Sequence, residues 1–139
     1  MIPRFLARLF GAGGKANPKA ESASDWVEGG LYTTPWGNGR YAVLKILKLD
    51  EHGVHMRRYS NVYDTRPSSL DESSLRVHGI EALIQGVEVR EDAPLGVGHM
   101  PVSKGTFASS GAIFIQTSTV SSEELEGYEM WREAEGGYF

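Results

Sequence analysis

Between Gly30 and Tyr63 the pattern of apolar and polar positions reads as three strands joined by two runs of turn residues. Leu31 to Thr34 is short and β-rich, and Trp36-Gly37-Asn38-Gly39 supplies the Asn-Gly pair that type I′ and II′ hairpin turns favour. Arg40 to Leu49 is the longest apolar run, with Tyr41 and Val43 on one face and Ala42, Leu44 and Ile46 on the other. A strand apolar on both faces belongs at the centre of a sheet. Asp50-Glu51-His52-Gly53 then turns the chain, and Val54 to Tyr63 returns as a more polar strand with His55, Arg57 and Tyr59 on one face. The pattern predicts a three-stranded meander.

Beyond it, Asp64 to Ser69 breaks the strand, and Leu70 to Val77 reads as a helical turn capped by Ser69 or Asp71, with Leu70 and Leu75 tucked under the sheet. A second apolar run, Ala82-Leu83-Ile84, passes into an alternation that predicts a strand over at least Val87 to Arg90. Pro94 to Pro101 reads as a crossing punctuated by Gly and Pro, and Ser103 to Phe107 as one helical turn. Ala112 to Val120 is a strand whose polar second half, Gln116 to Thr119, suits an edge. The last helix opens with a capping box, Ser121-x-x-Glu124, lays Leu125, Tyr128 and Trp131 along one side, and stops at Gly136-Gly137. The expected fold is α+β: a curved antiparallel sheet of about five strands, in the manner of an SH3-like partial barrel, with the C-terminal helix packed on it.

Upstream the pattern changes. Ile2, Phe5, Leu6, Leu9 and Phe10 recur at helical spacing, with Arg4 and Arg8 opposite, so Met1 to Phe10 reads as a short amphipathic helix. Gly11 to Ser24, rich in Gly, Ala, Ser, Pro and Lys, reads as a flexible linker. The expected organisation is therefore 1–24 as helix plus linker and 25–139 as a single α+β domain. Three readings stand for the helix: docking on this protein's own core or a partner, a frayed tail, or weak membrane-surface attachment.

Composition narrows the function classes. At 139 residues the chain supports one domain, and it contains no cysteine, which removes thiol catalysis and thiolate zinc sites and suits a reducing cytoplasm. A net charge of −4 argues against general affinity for nucleic acid and suits a basic or membrane-associated protein partner better. No run of about 18 apolar residues predicts a transmembrane helix. The final helix crowds Glu123, Glu124, Glu126, Glu129, Glu133 and Glu135 around its apolar stripe, leaving an acidic exposed face that is either solvated or a docking face.

Candidate chemistry is sparse. The chain has four histidines, His52, His55, His78 and His99, scattered too widely for a metal site, and neither a metal nor a cofactor is expected. Gly13-Gly14-Lys15 lacks the outer Gly and the Ser or Thr of a phosphate-binding loop. His99, between Gly98 and Met100, is the one histidine to consider for catalysis, with Ser103 or Asp92 as companions; a structural hydrogen bond is the competing reading. Tyr41, Arg57, Tyr59 and Tyr63 would share a sheet face of the kind that binds single-stranded nucleic acid, although acidic charge and ordinary cross-strand pairing weigh against it.

The strand Gly39-Arg-Tyr-Ala-Val-Leu-Lys-Ile-Leu47, the segment Gly98-His-Met-Pro-Val102, and Glu124-Leu-Glu-Gly-Tyr128 with Trp131 together resemble small bacterial proteins of the polymorphic-toxin immunity type. The resemblance covers Gly30 onward and transfers no catalytic residue. It implies inhibition by binding, in which an acidic cytoplasmic protein occludes a cognate, basic toxin domain. The expected function is thus a non-catalytic protein-binding module, with Glu123, Glu126, Glu129, Glu133, Tyr41, Arg57 and Tyr59 as partner-binding residues. A small enzyme using His99, or a nucleic-acid-binding small barrel, is the alternative.

Overall fold

The computed structural model describes residues 26–87 and 93–139. The amphipathic helix and linker expected over 1–24 lie outside the described residues, as does most of the strand expected at Val87 to Arg90. The described chain forms a five-stranded antiparallel open sheet with short helices, an α+β fold. In chain order it runs β1 (Gly30–Gly37), β2 (Arg40–Leu49), β3 (Gly53–Tyr63), a 3-10 turn (Glu72–Ser74), α1 (Ile80–Ile84), β4 (Val97–Ser103), α2 (Lys104–Ala108), β5 (Ile113–Thr117) and α3 (Glu126–Glu133). Among the described residues no helix is long and apolar enough to cross a membrane.

The meander forms as its pattern predicts. Asn38 and Gly39 both take positive φ, 53° and 73°, the left-handed geometry that an Asn-Gly turn supplies with little strain. Strand order is β4-β3-β2-β1-β5, so only β5 leaves sequential pairing and crosses to the far edge beside β1. Register shifts between Ala42 and Leu44 and between Ile46 and Lys48 bend the β2–β3 pair.

Both faces of the central strands are covered. On one side Tyr32, Leu44, Ile46, Val54, Met56 and Val102 pack with Trp26 and with Phe107 of α2. On the other Leu31, Val43 and Tyr59 pack with Leu75, and Leu70 joins them from the segment after β3. The face carrying His55, Arg57 and Tyr59 is therefore roofed by the 64–79 segment and α3, not bare.

Two expectations need correction. The Pro94 to Pro101 crossing contains a strand, β4, because an edge position tolerates both Gly98 and a proline that cannot donate a ladder hydrogen bond. Its outer side is partly closed by Phe139, whose N–H donates to Pro101 O (3.0 Å) and whose carbonyl accepts from Ser103 N (2.9 Å). The last helix starts at Glu126, not Ser121. The capping box forms reciprocally, Ser121 N to Glu124 Oε1 at 2.9 Å and Glu124 N to Ser121 Oγ at 3.1 Å, but it closes a turn ahead of the helix.

Candidate functional site

The underside of α3 is where polar chemistry collects, and it grows out of the β2–β3 turn. Asp50 Oδ1 accepts the backbone N–H groups of His52 and Gly53, each at 2.8 Å, which closes the turn and fixes the carboxylate plane. Its other oxygen, Oδ2, then faces the sheet and accepts from His55 Nε2 (2.6 Å) and Tyr138 Oη (2.6 Å). His55 is completely buried, and its Nδ1 lies 2.9 Å from Nε2 of His99 on β4. Tyr128 and Trp131 of α3 meet the His55 ring edge-on at 4.7 and 4.4 Å, and the Trp131 indole donates to Gly137 O (2.9 Å). Two glycines make room: a Cβ on Gly53 would fall 2.1 Å from the Tyr138 ring, and one on Gly127 would fall 2.6 Å from His99 Cβ.

Protonation follows from these bonds. For Asp50, burial works to raise the pKa but is outweighed by the hydrogen bonds from Tyr138, His55 and the two backbone amides, which hold it well below the usual carboxylate range. In the tautomer that serves the ionised Asp50, the His55 proton sits on Nε2 and Nδ1 accepts from His99 Nε2–H. The free lone pair of the series then resides on His99 Nδ1. Burial, and secondarily the neighbouring His55, lower the His99 pKa from 6.5 to about 4. Burial and the Asp50 hydrogen bond push the Tyr138 phenol up. The arrangement is an ordered hydrogen-bonded chain, Asp50 to His55 to His99, under an aromatic roof.

Beside it lies a charged cluster. Lys45 is 1% exposed, yet all three ammonium protons are placed: Nζ donates to Thr119 O (2.7 Å), Glu72 Oε2 (3.1 Å) and Glu124 Oε2 (3.0 Å). Arg57, opposite Lys45 across the β2–β3 ladder, stands 3.7 Å from Glu124. Burial raises the Glu124 pKa, but Ser121, Lys45 and Arg57 more than offset it and the net shift is downward. Burial first, then the negative charge of Glu124, raises Tyr59 to about 12. Lys45 thus ties the segment leading into α3 to the middle of the sheet.

The outer side of α3 and the turns that flank it are different. Glu123, Glu126, Glu133 and Glu135 are exposed, while Glu129 is half-buried and paired with Arg132. The structure therefore separates the sequence-derived partner-binding residues. Glu123, Glu126, Glu129 and Glu133 share the α3 region, and Arg57 lies beneath it against Glu124. Tyr59 is 5% exposed, and Tyr41 sits at the far end of β2 under the Arg66 guanidinium, 4.5 Å from its ring centre.

His99 is paired with His55, not with Ser103, which instead caps α2 by accepting from Thr106 N (3.1 Å). Asp92 lies outside the described residues. His52 is exposed near Glu51, and His78 donates its backbone N–H to Ser60 Oγ. Among the described residues no group of three or more His, Asp or Glu is placed to hold a metal ion. Sequence reasoning missed Asp50, His55, Lys45, Glu72 and Tyr138. One signal was present, an Asp and a His five apart across a tight turn; Lys45 with Glu124, 79 residues apart, had none. Compared with protein-family models, curated proteins and solved structures, the chain matches none.

Proposed function

We propose that this chain is a non-catalytic protein-binding module, acting in the cytoplasm, whose partner is a basic protein that meets the outer face of α3. The observation that carries the reading is the contrast between the two sides of that helix. Its inner side and entry segment are immobilised by Tyr128, Trp131 and the Glu124–Lys45 pair, and Glu126 and Glu133 on the helix, with Glu123 and Glu135 in the turns that flank it, are presented to solvent. Burying Lys45 and His55 is an expensive way to stabilise a fold; such groups are better suited to fixing one orientation of the element above them. A rigid, acidic helix face speeds encounter with a positive partner and sets its register. The resemblance to immunity proteins of polymorphic toxin systems supports the same reading, with a basic toxin domain as the occluded partner.

The test is to recover the partner with the tagged chain, purify it, and follow binding by calorimetry as salt rises from about 50 to 300 mM. Affinity that falls steeply with salt, for a partner with a basic contact patch, supports the reading. Binding insensitive to salt removes its basis.

A second reading has one specific observation behind it. The Asp50–His55–His99 series leaves a lone pair on His99 Nδ1, as a general base requires. Turnover of a p-nitrophenyl ester that disappears in His99→Gln would favour a small enzyme over a binding module.

A further inference from the structure

The helix α1 contributes no buried residue to the fold. Ile80, Leu83 and Ile84 are 63%, 49% and 79% exposed, with Val77 and Leu95 beside them. Ile80, Val77 and Leu95, with Ala82 and Val97, line a depression of about 600 Å³ between α1 and the start of β4. Scattered apolar residues on a surface are ordinary, but a contiguous group around a concavity marks a contact site. We infer that this apolar face is the docking site of the chain's own residues 1–10.

Three observations single out that occupant. Residues 1–10 carry the stripe Ile2, Phe5, Leu6, Leu9 and Phe10, which itself needs an apolar cover. The tether fits as well. Trp26, where the described chain begins, packs against Phe107 of α2 at 4.9 Å, next to the end of β4, while the depression lies at the opposite end of β4, beside Val97. The separation is thus about the length of β4, roughly 20 Å. Residues 11–25 number fifteen and are rich in Gly, Ala and Ser, and a flexible tether of that length would span roughly 20 Å on average, where tethered binding is most effective.

Charge points the same way. Residues 1–19 carry Arg4, Arg8, Lys15 and Lys19 and no acid, whereas residues 26–139 carry 10 Lys and Arg against 16 Asp and Glu, a net charge of −6. Glu81 stands on the rim of the depression to meet Arg4 or Arg8.

The absence of cysteine makes the test clean. In the full chain, Leu6→Cys is combined with Gln85→Cys at the depression, or with Thr65→Cys at an exposed site elsewhere, and the rate of intramolecular disulfide formation is followed under mild oxidation. Docking predicts a rate at least tenfold higher for the Gln85 pair, falling to that of the Thr65 pair when Ile80→Asp, in the lining of the depression, is added. A second pair, Gly11→Cys with Glu81→Cys, must show the same preference, which guards against one variant that fails to fold. Equal rates would mean that residues 1–10 are not held at this face. A disulfide-linked dimer as the main product would assign the face to a second copy, and either result overturns the inference.

Discussion

His99 is held as a neutral imidazole, and the consequence for stability has a definite sign. Its pKa falls from 6.5 to about 4 on folding, so the unfolded chain takes up the proton first as pH drops. The stability this group contributes is complete above pH 6.5 and is lost between 6.5 and 4. After allowance for partial exposure, the unfolding free energy should fall by about 1 to 2 kcal/mol between pH 7.5 and pH 5. His99→Gln keeps an N–H for His55 Nδ1 but cannot titrate, so urea midpoints of this variant should lose most of their slope over that range. A slope unchanged in the variant would place the titrating group elsewhere. Lys45 is the other residue whose burial has a measurable cost. Lys45→Met should destabilise by about 3 kcal/mol, since it leaves the Glu124 charge with the Ser121 N–H and, for a cation, only the more distant Arg57. Adding Glu124→Gln should return at least about 1 kcal/mol of that loss, and a strictly additive double variant would show that the two side chains do not act as a pair.

At the scale of elements, what was legible followed from local rules. The Asn38-Gly39 turn and the two-faced apolarity of β2 mark the meander, and the Ser103 cap and the Leu125–Tyr128–Trp131 spacing mark two helices. β4 was hidden because an edge strand need not alternate cleanly and accommodates Gly98 and Pro101. The start of α3 was misplaced because Glu124 serves the capping box and Lys45 together, and the second role depends on a residue 79 positions away. The Asp50–His55–His99 series was hidden for the same reason, since His55 and His99 meet across two strands and 44 positions. Gly127 offers a direct check on how tightly α3 is seated. In an isolated helix, replacing Gly by Ala would help by up to about 1 kcal/mol. Here the new methyl would meet His99 Cβ at 2.6 Å, so Gly127→Ala should instead destabilise by about 1 to 2 kcal/mol. A higher thermal midpoint for this variant would mean that the helix is free to lift away from β4.

At the scale of the molecule, the sheet is a platform that holds one acidic helix in a fixed orientation. The apolar core on the α2 side supplies ordinary burial, whereas the α3 side combines apolar packing with a buried lysine, bonded to the entry segment of α3 and to Glu72, and a buried histidine, bonded to Asp50 and His99. Residues 26–139 carry a net charge of −6, and Glu123, Glu126 and Glu133 place part of that charge on the exposed surface. Glu124 and Glu129 are engaged with Lys45 and Arg132, so the exposed set can be altered without touching the contacts that seat the helix. The deciding measurement is the affinity of the purified partner for Glu123→Lys/Glu126→Lys/Glu133→Lys, a variant that should unfold at the parent urea midpoint. Loss of at least about tenfold in affinity at 50 mM salt, with a shallower dependence on salt, is the predicted result. Unchanged affinity with unchanged salt dependence would contradict it, and would mean that the acidic face of α3 is only solvated surface.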